Sequence, residues 1–153
     1  MKNRIIAIGC DHAGFALKQV VTDRIAANNA TALDMGTCST DSVDYPDFAK
    51  AVALKVASGE AELGILLCGS GVGVCITANK FKGIRAGLCH DTYSAAQGVE
   101  HDHMNVLCMG ARIVGQSLAE SIVDAFLRAP RTTEARHLRR LAKIAAIEAE
   151  NLK

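Results

Sequence analysis

The sequence predicts an α/β fold: a three-layer αβα sandwich, flavodoxin- or Rossmann-like, with a parallel sheet of about five strands and an extra C-terminal helix. Three observations predict it. Short apolar runs alternate with longer amphipathic stretches along the chain, the pattern of repeated β–α units. The run Leu63-Gly64-Ile65-Leu66-Leu67 is continuously apolar, as suits a strand covered on both faces. Polar and glycine-rich residues follow the apolar runs, where open α/β sheets gather their ligands.

Taken in order, Ile5 to Ile8 reads as a first strand ending in Gly9-Cys10-Asp11-His12. Residues 14–28 place Phe15, Leu17, Val20, Val21 and Ile25 at helical spacing. Thr31 to Met35 is a second short strand, followed by the turn-rich Gly36 to Asp44. Pro46 suits the first position of a helix that runs to about Ser58-Gly59. After the strand at 63–67, a glycine loop opens a helix ending near Lys80. Strands at Ile84 to Cys89 and Val106 to Met109 flank a helix over about Thr92 to Val99. Gln116 to Arg128 is helical, Pro130 interrupts, and a last helix covers about Thr133 to Asn151. That helix carries Leu138, Leu141, Ile144, Ala145 and Ile147, and packs either on its own sheet or on another subunit. No linker or fixed-period repeat divides the chain, so residues 1–153 read as one domain.

Composition narrows the function classes. Lys and Arg total 17 against 16 Asp and Glu, leaving no global field for nucleic acid or an anionic membrane. No run approaches the roughly 20 apolar residues of a membrane span. Met1-Lys2-Asn3-Arg4 leads into a short apolar strand with no small-residue cleavage site, so no signal peptide is read and a cytoplasmic protein is expected. The six cysteines form no C-x-x-C pair, so neither structural zinc nor a thioredoxin-type motif is indicated, and disulfides are not expected. Cys75, Cys89 and Cys108 read as small buried hydrophobes.

Four constellations can carry chemistry. In Gly69-Ser70-Gly71-Val72-Gly73, glycines at alternate positions follow a buried strand and precede a helix. Such a loop turns tightly and presents N–H groups to a phosphate or an oxyanion. It is neither a Walker motif nor a dinucleotide fingerprint. Cys68, at its mouth, admits two readings: an inert buried thiol, or a base beside backbone donors. Asp11 can cap the first helix while His12 faces a ligand. In His101-Asp102-His103, just before a strand, one His as a general acid fits better than a metal site, because no third ligand is evident. Arg112, Arg136, Arg139 and Arg140 suit a phosphate, and Arg136 and Arg140 share one face of the last helix; a solvated basic face is the plain alternative.

Together these segments resemble the B-type ribose-5-phosphate isomerases, a family that includes allose- and galactose-6-phosphate isomerases. The matching stretches are Gly9-Cys10-Asp11-His12-Ala13-Gly14-Phe15, Asp44-Tyr45-Pro46, Cys68 to Gly73, Ala78-Asn79-Lys80, Gly83-Ile84-Arg85-Ala86, Asn105-Val106-Leu107 and Gly110-Ala111-Arg112. The resemblance implies an aldose–ketose isomerase working through a cis-enediolate, with no metal or organic cofactor. It implies a homodimer, or a tetramer, with shared active sites. By position, Cys68 resembles the base that moves a proton between carbons 1 and 2, and Ser70 the group that shuttles the hydroxyl proton. His101 resembles the acid that opens the furanose ring, with Asp11 assisting. The amides of Gly69, Gly71, Val72 and Gly73 are expected to hold the enediolate oxygen. Tyr45 is expected to line the sugar site, and His12, Arg112, Arg136 and Arg140 to bind the phosphate. A second branch of the family uses a Glu where this chain has Val74, which puts the chain in the Cys branch. Asp102 stands where the ribose enzymes carry Asn. A carboxylate donates no hydrogen bond unless protonated and repels an enediolate. Either Asp102 points away, or His103 or an Arg compensates, or the sugar differs from ribose 5-phosphate.

Overall fold

The computed structural model describes residues 3–152. Met1 and Lys2, on which the reading of the N-terminus partly rests, lie outside the described residues, as does Lys153. The chain alternates β1 (Arg4–Cys10), α1 (Phe15–Ala27), β2 (Ala30–Asp34), α2 (Tyr45–Ala57), β3 (Leu63–Cys68), α3 (Val72–Ala78), β4 (Ala86–Leu88), α4 (Thr92–Asp102), β5 (Val106–Gly110), α5 (Gln116–Arg128) and α6 (Ala135–Asn151). The five strands form one parallel sheet in the order β2-β1-β3-β5-β4.

Strand periodicity sorts the core into two layers. Ile6, Ile8 and Cys10 of β1, with Ile65 and Leu67 of β3, pack against α1, α4 and α5. Ala7, Leu66 and Cys68 face the other way, onto α2 and α3. Helices thus cover both faces of the sheet, the predicted αβα sandwich. The strand order departs from the flavodoxin order, 2-1-3-4-5, because β5 lies between β3 and β4. Burial explains the exchange: β5 is buried throughout, whereas β4 is three half-exposed residues suited to an edge.

Among the boundaries that differ from the sequence reading, three bear on the site. The strand expected over Ile84 to Cys89 contracts to 86–88, because side chains capture the backbone before it. Asn79 clamps Ala86 through both amide atoms, at 2.9 Å each, and Asn105 Oδ1 accepts from the Arg85 amide at 2.7 Å. The helix expected to stop near Val99 runs on to Asp102. His103 ends it in the left-handed region (φ 51°), and the Met104 amide donates to the Gly98 carbonyl at 2.9 Å. His101 and Asp102 therefore sit in a helical turn, not in the extended segment expected before the strand. Pro46 occupies the second helical position, one after Tyr45.

The final helix does not cover the sheet. It packs on α4, buries only His137 and Leu141, and leaves Leu138, Ile144 and Ile147 exposed. Glu148, near its far end, accepts from the Gly83 amide at 2.7 Å. No helix among the described residues is long and apolar enough to cross a membrane.

Candidate active site

The strand order reverses between β1 and β3, and the crevice beyond such a reversal is where open α/β sheets bind ligands. The carboxyl ends of these strands deliver Asp11-His12 and Cys68-Gly69 side by side. A cavity of about 350 Å³ opens there, lined by Asp11, His12, Tyr45, Cys68, Gly69, Ser70, Gly73 and Arg112, among others.

Backbone geometry shapes the loop. Gly71 has φ 80°, and a Cβ there would stand 2.8 Å from the Met109 carbonyl carbon. An L side chain is opposed both by conformation and by a backbone that cannot move aside. At Gly73 a Cβ would strike the Tyr45 ring at 2.6 Å, so the missing side chain is the seat of that ring. The Gly71 amide donates to Cys68 Sγ at 3.0 Å, and the Val72 amide to Ser70 Oγ at 3.3 Å. Two of the amides expected to cradle an enediolate oxygen thus serve the sulfur and the hydroxyl instead. Those of Gly69 and Gly73, together with that of Ser70, have no protein acceptor among the described residues. Val74 is fully buried in the α2–α3 layer and brings no acid to the cavity.

Asp11 is buried, and its Oδ1 accepts from the Ala13 and Gly14 amides at 3.0 Å each. It holds the turn into α1 and also borders the cavity. His12 Nδ1 accepts from the Val43 amide at 3.2 Å. The proton of the neutral ring is then on Nε2, which makes that nitrogen a donor. Arg112 lies along Gly69, its Nη1 3.2 Å from where a Cβ would stand, and its guanidinium has no carboxylate partner among the described residues.

The remaining expected residues gather elsewhere. His101, Asp102, Arg136 and Arg140 are absent from the lining of the Cys68 cavity. Asp102 instead borders a separate groove of about 420 Å³ with Arg85, Gln97 and Glu148. His101 stacks on His137, with ring centroids 4.0 Å apart and planes 16° from parallel. Arg136 donates through Nε to Glu134 at 3.0 Å, and both side chains are exposed. His103 is half-buried, with Nε2 unpartnered among the described residues. Burial, then the nearby Arg131, hold its pKa below the usual histidine value.

The thiols divide by environment. Burial pushes Cys10 and Cys89 up to about 11. Cys75, half-buried in α3, is held down to about 7 by a hydrogen bond with Cys108, which is itself raised well above the ordinary value. Cys38 is exposed.

The sequence reading passed over His137. Its signal was there: it sits four residues before Leu141, on the one face of α6 that becomes buried.

The family model described as Ribose/Galactose Isomerase matches residues 6–144. A protein of Escherichia coli named ribose-5-phosphate isomerase B is 48% identical over 143 residues, covering 94% of this chain and 95% of its own. A D-erythrulose-4-phosphate isomerase of Pectobacterium atrosepticum is 43% identical over 125 residues, covering 81% and 82%. Among solved structures, the type B ribose 5-phosphate isomerase of Trypanosoma brucei superposes with a TM-score of 0.92 at 43% identity, covering 95% of this chain and 99% of that one. The chain belongs to the ribose/galactose isomerase family.

Proposed function

We propose that this chain, a single domain over residues 1–153, interconverts an aldose and a ketose phosphate, with ribose 5-phosphate and ribulose 5-phosphate as the first pair. The observation that carries the reading is Cys68. Its sulfur sits at the strand-order reversal, receives the Gly71 amide, and faces a cavity shared with Asp11, His12 and Arg112. Homologues with names of this activity span nearly the whole chain.

The chemistry follows from positions. His101 gives a proton to the ring oxygen while Asp11 assists loss of the proton on the carbon-1 hydroxyl. The bond from carbon 1 to the ring oxygen breaks, leaving an open aldehyde. Cys68 sulfur takes the proton from carbon 2, and the electron pair moves to the carbonyl oxygen as the cis-enediolate. The amides of Gly69, Ser70 and Gly73 stabilise that oxygen, since donors held in place cost no reorganisation as charge develops. Ser70 passes the hydroxyl proton between the two oxygens, and the proton on sulfur returns to carbon 1. The cis-enediolate lies flat across the loop, with Tyr45 as the wall of the sugar site. The His12 Nε2–H and the Arg112, Arg136 and Arg140 guanidinia take the phosphate.

His101, Arg136 and Arg140 lie outside the Cys68 cavity of their own chain. A homodimer, alone or within a tetramer, supplies them from a second copy. The exposed Leu138, Ile144 and Ile147 of α6 support such an association. The six unpaired thiols suit a reducing cytoplasm.

Asp102 supports a second substrate reading. A relative named as a D-erythrulose-4-phosphate isomerase covers four fifths of the chain, and a carboxylate in place of an amide removes a donor from the sugar site. A panel of tetrose, pentose and hexose phosphates ranks the candidates by kcat/KM. Turnover of ribose 5-phosphate that vanishes in Cys68→Ala, with the fold intact, is the expected result; full activity in that variant removes the assigned base. Mixing Cys68→Ala with His101→Ala protein tests the shared site. One intact site per mixed dimer restores about a quarter of wild-type activity, and sites confined to one chain restore none.

A further inference from the structure

We infer that His137 is a positioning residue for His101, the flat wall that fixes the orientation of the ring-opening acid. The inference rests on the reading of His101 as that acid.

A general acid must hold its proton in line with the atom that receives it, and an imidazole usually gains that orientation from a hydrogen bond to its second nitrogen. Among the described residues, no side chain or backbone group hydrogen-bonds the His101 ring. What meets it is the face of His137, 4.0 Å away and within 16° of parallel. The two rings come from different helices, α4 and α6, and His137 is only 4% exposed, so the wall is itself held. The His137 amide donates to the Glu134 carbonyl at 3.0 Å, which holds its backbone in the first turn of α6.

The charges around the pair agree with this division of roles. His137 Nε2 has no hydrogen-bond partner among the described residues. Glu134 Oε2, the acid facing it, stands 3.9 Å away and is engaged by Arg136 at 3.0 Å. Burial, then repulsion from His101, Arg136 and Arg140, outweighs Glu134 and keeps the His137 pKa below the ordinary histidine value. Glu100 and Asp102 flank His101 on α4, and the Glu100 carbonyl accepts from the Thr132 amide at 2.9 Å, tying the segment before α6 to the same turn. The near-parallel stack leaves the His101 ring flat against the His137 face. The seat of α6 on α4 therefore orients the acid and, through Arg136 and Arg140 on the same turns, sets it relative to the phosphate.

The test separates ring opening from proton transfer. Conversion of ribose 5-phosphate needs both. Exchange of the carbon-1 proton of ribulose 5-phosphate with deuterated water, followed by NMR, needs only the second, because the ketose is already open. His137→Ala is expected to lower kcat for the aldose about 100-fold, the scale of a misplaced catalytic group, with KM unchanged and exchange preserved. His137→Phe restores the flat ring and is expected to recover most of that loss. Unchanged aldose turnover in His137→Ala overturns the inference. So does a raised KM at constant kcat, which would make His137 a phosphate ligand, and so does an equal fall in turnover and exchange, which would make it structural. If His137→Ala fails to fold by circular dichroism, His137→Phe decides: near-normal kcat supports the wall, and a 100-fold loss overturns it. His101→Ala is the reference. Loss of aldose turnover with exchange retained upholds the acid, so a contrary His137 result then counts against this inference alone. Intact aldose turnover in His101→Ala removes the acid and the inference with it.

Discussion

The loop after β3 and the junction of α4 with α6 both carry residues expected to act, yet they are held in different ways. At the strand ends the holding is done by backbone: the Gly71 amide on Cys68, the Ala13 and Gly14 amides on Asp11, the Val43 amide on His12. At the helix junction it is done by side chains: a stacked pair of rings, and an exposed ion pair between Arg136 and Glu134. A backbone-held group keeps its geometry as long as the sheet stands. A side-chain-held group on an exposed helix depends on what covers that helix. Cys68 and Asp11 thus depend on the sheet, whereas His101, Arg136 and Arg140 depend on how α6 seats on α4.

Gly71→Ala breaks the first region most severely. The added Cβ meets a left-handed backbone and the Met109 carbonyl carbon at 2.8 Å, for a cost of about 3 kcal/mol. A thermal melt should fall by roughly 10 °C, and activity should vanish even where folded protein remains, because the amide on Cys68 shifts. Arg140→Ala breaks only the second region. The side chain is exposed and has no carboxylate partner among the described residues, so the melt should stay within about 1 °C of wild type. The KM for the sugar phosphate should rise roughly 10- to 100-fold with kcat changed far less, the mark of a lost ground-state contact to an anion.

Acidification sharpens the contrast. His103 and His137 both have folded pKa values below the unfolded 6.5. The unfolded chain therefore binds more protons once the pH drops below that value. Their contribution to stability is whole above about pH 6.5 and declines as the pH falls through the lowered values. The melting temperature should drop between pH 7 and pH 5, and His137→Phe should flatten part of that drop; a melt independent of pH over this window would contradict the assignment. The smallest expected effect concerns the thiols. In Cys68→Ala protein, brief iodoacetamide treatment near pH 7.5 should label Cys75, held down to about 7, and the exposed Cys38. Cys10 and Cys89, pushed up to about 11 by burial, should react only on unfolding; mass spectrometry of the digested protein reads the order.

These regions also differ in how far the sequence disclosed them. The first was legible because it is local. A five-residue apolar run, an alternating glycine loop and Asp11-His12 behind another apolar run each fall within a short window, and the topology that joins them is the common one for such units. The second was legible only as residue types. His101 and the arginines stand out in the sequence, but the end of α4 does not, because it is set by a left-handed residue, His103, that propensity does not mark. The stack on His137 joins positions 36 residues apart on two helices and leaves no periodic trace beyond the apolar face it shares with Leu141. The exchange of β4 and β5 was equally silent, since alternation of strand and helix does not encode lateral order. Asp102, a departure from the family pattern in the sequence, borders the groove with Arg85 rather than the Cys68 cavity of its own chain.

The place of β5 also has a meaning for how the chain is made. In the sheet β4 hydrogen-bonds to β5 alone, and β5 is the strand that leaves the ribosome after it. A growing chain that has reached residue 90 can pair β1 with β2 and β3, but has nothing to receive its fourth strand. For the time taken to add roughly 20 further residues, on the order of seconds, the backbone of residues 86–88 has side-chain partners at Ala86, from Asn79 and the Cys75 thiol, but no neighbouring strand. A three-residue strand is a short exposure to carry through that interval, and a longer apolar strand in its place would be a ready template for pairing with another chain.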